Sequence, residues 1–406
     1  MKEKYVLMNQ NTEVLKFEFD KDLNVITNIE EIYNIEYAPL NIKNIDEEKR
    51  VIELNNWFNE RGIPVYRDNV KEIIEIFGVS NIKELTSRDY ALSLSDQYWF
   101  KPVENSNLQW EDINYFDKDY NSFSFADATY GSGAGTTLKQ TSNEHSDRTP
   151  NNTANGQLKK VWIKQNNENY LYKGAGTIHN FEPINEVLAS KICEILEVPY
   201  VEYYIDIIHS KRQDNLVSVC KCIIDKNEEI IPAHSILTEE KGKITKTIED
   251  YYTYLQILKK HNVPNAEEYL QKMFLLDYIM LNEDRHLNNF GIIRDVKTLE
   301  WKRICPIFDT GRSMNTNVTT SYWDFKEGEV KCFTKELISS KKLEKILKKD
   351  ITDSQIEKLK ELADFYRSML VEYKNYTKLS DEEINKLYEG YKKRIECLEE
   401  IFQRQL

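Results

Sequence analysis

Along this chain the spacing of hydrophobic positions changes several times, and each change marks an element. Apolar and polar residues alternate on either side of Gln165–Glu168, the pattern of a two-stranded hairpin formed by Lys160–Lys164 and Asn169–Lys173. From Pro183 to about Glu197 the period lengthens. Val187, Leu188, Ile192, Ile195 and Leu196 then share one helical face, with the proline at the start, where a missing N–H is harmless. Val201–Ile208 and Leu216–Ile224 read as two further strands. Strand, strand, helix, strand, strand predicts a small antiparallel sheet with one helix packed on it.

Downstream, Ala266–Leu281 is apolar enough to be the spine of a second lobe. Asn265 is placed to cap it and Glu268 to complete a capping box. Only Asp277 interrupts the apolar run Met273–Leu281. The polar stretch NEDRHLNN follows, then a hairpin of Phe290–Arg294 and Lys302–Phe308. The tail from Lys335 is helical in pattern: Ser380 with Glu383 makes another capping box, and Ile384, Leu387, Tyr391, Ile395 and Leu398 form a stripe suited to packing within the lobe. Before residue 125 or so the chain reads as mixed α/β. Glu47–Glu60 is a helix stopped by Gly62, and Asp68 caps a second that ends near Gly78. Trp57, Tyr98, Trp99, Phe100 and Trp110 give this part its packing surface. Between Gly131 and Gln157 there is almost nothing to bury, which predicts a long surface loop. It contains neither a Walker A pattern nor a complete GxGxxG.

Composition narrows the function. The chain has 406 residues, 55 basic and 68 acidic, for a formal net charge of −13. Such a chain is a poor nonspecific nucleic-acid binder. Its length suggests two or three domains. No apolar run approaches the roughly 18 residues of a membrane span, and the first residues lead into no apolar stretch, so a cytoplasmic location is expected. The six cysteines are scattered, as in a reduced protein; Cys220 and Cys222 read as buried thiols on a strand.

The segment after the spine carries the chemistry. Asp284 is followed five residues later by Asn289, and Asp309 ends the second hairpin strand before Thr310-Gly311. A hairpin brings Asp309 beside Asn289, so three oxygen-bearing side chains gather at one point. Phosphoryl transfer needs such a set: one carboxylate to orient a hydroxyl, a second carboxylate and an amide oxygen for Mg²⁺. The spacing of Asp284 and Asn289 is that of the protein-kinase catalytic loop. His286 taken alone is a structural histidine. Two residues after the proposed base, it is placed to give a cationic or donor group to the transferring phosphate. Lys173, at a strand end before Gly174-Ala175-Gly176, and Glu186, in the first turn of the next helix, come in the order of the phosphate-binding lysine and its glutamate.

These residues resemble the HipA-like serine/threonine kinases, especially the cell-translocating-kinase (CtkA-like) group. The resemblance rests on NGQLKKVWIK (155–164), YLYKGAG (170–176), NEVLASKI (185–192), LNEDRHLNNFG (281–291), PIFDTGRSM (306–314) and the more N-terminal LSDQYWFKP (94–102). It implies an α+β, bilobal protein-kinase-like fold: an N-terminal α/β extension over 1–130, an antiparallel-sheet N-lobe with a mobile phosphate loop over 131–230, and a mostly helical C-lobe over 231–406. It implies ATP and Mg²⁺ as cofactors and Ser or Thr of a protein as acceptor. By position Asp284 resembles the catalytic base, Asn289 and Asp309 the metal ligands, and Lys173 the phosphate-binding lysine. The loop around Thr153 and Gly156 resembles the phosphate loop, with Thr153 the candidate for autophosphorylation. Lys221, Cys222 and Ile223 resemble the hinge that receives adenine through backbone groups. A toxin or effector role, with a separately encoded antitoxin as partner, goes with the family; from the acidic chain and the lack of a long apolar run, no direct binding of nucleic acid or membrane is expected. The Asp-Arg-His order also occurs in phosphoinositide kinases, so a lipid or small-molecule kinase on the same fold stays open, as does a nucleotide-binding pseudokinase.

Overall fold

The computed structural model describes residues 1–138, 148–348 and 351–404. The chain opens with β1 (Lys2–Asn9), β2 (Thr12–Asp20) and β3 (Val25–Ile32), and β4 (Tyr98–Pro102) joins β1, giving the antiparallel order β3-β2-β1-β4. One face of this sheet, with Leu7, Leu15, Phe17, Phe19 and Phe100, buries Leu54 and Phe58 of the helix Glu47–Arg61. The next helix, Val70–Phe77, ends at Gly78, whose φ of +58° suits a residue without a side chain. Its N-terminal flank is Asn69 rather than Asp68, and no side chain caps it.

The N-lobe sheet contains β5 (Lys160–Gln165), β6 (Glu168–Gly174), β7 (Tyr204–His209) and β8 (Asp214–Lys221) in the order β5-β6-β8-β7, antiparallel throughout. Asn166 and Asn167 turn the first hairpin at φ +51° and +62°, the left-handed pair that a tight hairpin turn needs. Alternation sorts the faces. Val161, Ile163, Tyr172, Val217 and Val219 pack against Ile73, Phe125 and Tyr130 of the preceding segment. Leu171 and Cys220 face Val187 on the helix Glu182–Leu196. Lys173 is two residues from Leu171 and therefore points to the same helix.

In the C-lobe every residue of the spine helix Ala266–Met280 except Glu267 and Glu268 is buried. It shares a core with the helices Asp353–Glu372 and Asp381–Arg404, whose Ile384, Leu387, Tyr391, Ile395 and Leu398 all lie inside. The Ser380–Glu383 capping box forms, with Ser380 N donating to the carboxylate at 2.8 Å and Glu383 N to the hydroxyl at 3.2 Å. The box expected at Asn265 does not. Asn265 is at φ +55°, outside the extended region from which a capping side chain reaches the helix, and Glu268 binds Lys272 at 2.6 Å instead. A third sheet, β11-β10-β9, is built from β9 (Glu228–Pro232), β10 (Gly291–Asp295) and β11 (Trp301–Ile304). The expected division at residue 230 falls within β9. All six cysteines are free thiols.

The stretch 131–157 departs from the expected surface loop. Residues 139–147 lie outside the described residues, but Thr149, Asn151, Asn152 and Thr153 are buried. Polar residues can be buried where they find partners. Asn151 donates to Ser122 Oγ and Thr149 Oγ1, both at 2.8 Å, and accepts from Trp162 N at 2.6 Å. The Thr153 hydroxyl donates to Leu92 O at 2.7 Å.

Candidate active site

Where the lobes meet, Lys173 is buried between two carboxylates. Its ammonium donates to Glu186 Oε1 at 2.5 Å and also to Asp309. Glu186 uses its other oxygen to accept from Thr310 N at 2.9 Å, so the N-lobe helix holds the Asp-Thr-Gly segment directly. Asn185 adds two bonds from its amide, to Gly311 O at 3.0 Å and Ser313 O at 2.8 Å. At Gly311 the backbone of the helix comes close: a Cβ would lie 3.0 Å from both Glu182 O and Glu186 Oε1, so a larger residue would have to push one of them back. Asp309 is at φ +56°, a left-handed conformation that Asp tolerates better than most residues.

On the C-lobe side, Leu281 closes the spine helix at φ +50°, a strained conformation for a leucine. The chain then turns through a hydrogen-bonded ladder. Asn282 donates to Asp277 Oδ1 at 2.7 Å and accepts from Asp284 N at 2.9 Å. Asn289 donates its amide N–H to Asp284 O at 2.8 Å, which leaves its amide oxygen as the end for a cation. Asn288 N donates to His286 Nδ1 at 3.2 Å, so a neutral ring carries its proton on Nε2, 4.0 Å from Asp284 Oδ1.

The charges are set by burial and by one another. Burial works to raise the Asp309 carboxyl, but Lys173 and then Lys160 outweigh it and hold it well below the usual range. Burial also works against the Lys173 ammonium, and Asp309 with Glu186 more than offsets that. Asp284 is pushed up, first by burial and then by the nearby Asp309 charge. Burial lowers His286, so at neutral pH it is a neutral donor rather than a cation.

No family model matches this sequence, and no curated protein matches it. Solved structures do. HipA of Shewanella oneidensis MR-1, in a toxin–antitoxin complex with HipB and its operator DNA, aligns with a TM-score of 0.52 at 14% identity, over 98% of this chain and 97% of that one. The fold is HipA-like. The Helicobacter pylori proinflammatory kinase CtkA aligns at 17% identity with a TM-score of 0.45, over 61% of this chain and 95% of that one.

Within this HipA-like fold the predicted residues Lys173, Glu186, Asp284, His286, Asn289 and Asp309 gather at one place. Gly156 joins them through Lys160: at φ +105° it lies so close that a Cβ would sit 2.5 Å from Lys160 Nζ. Thr153 lies instead against the extension, its hydroxyl engaged with Leu92 O and Pro150 O. Lys221 points outward to Glu168 at 2.6 Å. At the expected hinge, Cys222 N donates to Asn169 O at 2.8 Å, while Ile223 packs against the same buried cluster as Phe308, the residue before Asp309.

Sequence reasoning passes over three residues. Arg285 is wholly buried and binds Asp277 through Nε and Nη2 at about 3.1 Å, Asn289 O at 3.1 Å, Phe308 O at 2.7 Å and Thr310 Oγ1 at 2.9 Å. It joins the catalytic-type loop to the Phe308–Thr310 segment that carries Asp309. The available signal was Asp277 itself, since a charge inside an apolar helix requires a buried partner. Lys160 is a second lysine of the site, with its pKa pushed down to about 8 by burial although Asp309 pulls it upward. Arg312 Nη1 lies 3.2 Å from Gln157 Oε1 and 4.0 Å from Asp284 Oδ2, between the two lobes' loops.

The donor set suits Mg²⁺ with a nucleotide. Asp309 is an ionised carboxylate already facing a positive group, and Asn289 offers an amide oxygen, both hard ligands. Among the described residues no cluster of three or more His, Cys, Asp and Glu could hold a metal.

Proposed function

We propose that this chain is an ATP- and Mg²⁺-dependent serine/threonine protein kinase of HipA-like type. The observation that carries the reading is Lys173, tied at once to Glu186 of the N-lobe helix and Asp309 of the C-lobe, next to Asp284 and Asn289. In this reading Asp284 orients the acceptor hydroxyl and takes its proton, a task its raised pKa favours. Lys173, steadied by Glu186, secures the α and β phosphates, with Lys160 beside it. Asn289 and Asp309 hold Mg²⁺, which supplies charge neutralisation on the phosphates. His286 donates from Nε2 toward the transferring group. Positioning and fixed charge do most of the work.

The acidic chain, at −13, supports a protein acceptor over an anionic membrane surface. The likeness to HipA, whose structure includes HipB and operator DNA, supports a separately encoded antitoxin-type partner and a toxin or effector role. The test is incubation with Mg²⁺–ATP and a mass-spectrometric search for phosphorylated Ser and Thr, with lipid label measured in parallel. Asp309→Asn should abolish transfer. Wild-type activity in that variant would remove the metal assignment, and label only in lipid would replace the protein acceptor.

A further inference from the structure

We propose that Arg67, in the N-terminal extension, is a positioning residue for nucleotide binding; the proposal rests on the kinase reading above. Arg67 is 2% exposed. Its guanidinium faces carbonyls: Nε donates to Gly156 O at 3.0 Å, and Nη2 to Gly156 O at 2.7 Å and to Ala154 O. Nη1 is buried with no hydrogen-bond partner among the described residues. Burial of a cation held only by carbonyl groups is a costly way to support a loop, and it lowers this guanidinium to about 10. The loop in question is the one that reaches the site. Gly156 lies against Lys160 Nζ, and Gln157 Oε1 accepts from Arg312.

The extension grips the preceding residues as well. Asp89 accepts from Thr149 N at 3.0 Å, Thr86 Oγ1 donates to Asn152 O at 3.3 Å, and Asn155 Nδ2 donates to Glu60 O at 2.7 Å. Arg67 holds the end of the segment, at the carbonyl beside Lys160. Losing it frees Gly156 and Gln157 to drift, and a loop that must then be ordered on binding lowers the affinity for the phosphates. The extension thus sets nucleotide affinity without touching nucleotide.

The test compares Arg67→Ala, Arg67→Lys and Arg61→Ala in the full chain. Arg61 is a buried arginine of the same extension, but its bonds go to Ala91, Asp96 and Tyr98. Two quantities are read: hydrogen exchange of the amides of 149–157 without nucleotide, and the equilibrium Kd for Mg²⁺–ATP. Arg67→Ala should speed exchange in 149–157 and raise Kd about tenfold or more, as expected for lost charge-assisted bonds. Arg67→Lys should recover part of both, and Arg61→Ala should lower Tm while leaving Kd within about twofold. Unchanged exchange in Arg67→Ala, unchanged Kd, or an equal loss of affinity in Arg61→Ala each overturns the proposal. A wild-type chain that binds no Mg²⁺–ATP overturns the kinase reading and the positioning role together, while the exchange comparison still reports whether the clamp exists.

Discussion

Arg285→Met should be among the most destabilising single changes in this chain, because of what the guanidinium leaves behind. Methionine fills similar space but supplies no donor. Among the described residues, the wholly buried Asp277 carboxylate then keeps Asn282 alone as a partner. Breaking a buried ion pair from one side costs about 3–5 kcal/mol. Asn289 O, Phe308 O and Thr310 Oγ1 also lose their donor. Each such loss is worth about 1 kcal/mol, although the terms are not additive. A total of at least about 4 kcal/mol is therefore expected, a large part of the roughly 5–15 kcal/mol of a whole native fold. For a chain of 406 residues it corresponds to a fall in Tm of about 5 °C or more. Arg285→Lys keeps the charge but not the fork, and should lie between wild type and Met. Adding Asp277→Asn removes the stranded carboxylate, so the double variant should be less destabilised than the sum of the singles by about 2 kcal/mol. Guanidinium denaturation of wild type, the three single variants and the double variant measures these differences. A cost below about 1 kcal/mol for Arg285→Met, or strict additivity in the cycle, refutes the view that this ion pair joins the two site loops.

Lys173→Met should cut phosphotransfer by at least about a hundredfold, since it removes the cation shared by Glu186 and Asp309; single-turnover assays decide this. Gly311→Ala forces a Cβ to 3.0 Å from Glu182 O and Glu186 Oε1, so it should cost about 1–3 kcal/mol in denaturation and displace Glu186, lowering kcat as well. Asp89 is 1% exposed, and burial raises its carboxyl to about 6 against 3.8 for an unburied one. The folded state therefore holds this proton more tightly, and its contribution to stability, full below pH 3.8, is lost as pH rises through about 6. The size is on the order of 3 kcal/mol. Asp89→Asn should flatten that part of the stability–pH curve, and an unchanged slope between pH 4 and 6 would show that Asp89 does not titrate there.

Much of the candidate site could be read along the chain because its parts are local. The hairpin 160–173, the helix that follows and the five-residue step from Asp284 to Asn289 are set by period and spacing, which backbone geometry turns into direction. Lys173 meets Glu186 because strand alternation puts it on the face that carries Leu171, and that face packs on the helix. The N-terminal strands were harder to delimit. β3, for example, exposes polar residues such as Thr27 and Asn28 that blur its alternation.

What the amino-acid order determined by itself was the succession of elements and the chemical types delivered to each end of them. Tertiary structure alone decided which distant groups share a low-dielectric space. It put Arg285 between Asp277 and the Phe308–Thr310 segment, brought Lys160 beside Asp309, enclosed the polar segment 149–154 against the extension and tied Gly156 to Arg67. The physical reason is that burial gives a polar residue its meaning. The same Asn or Arg is a solvated loop residue in water and a structural tie once every competing water has been removed, and no local pattern records which of the two it will be.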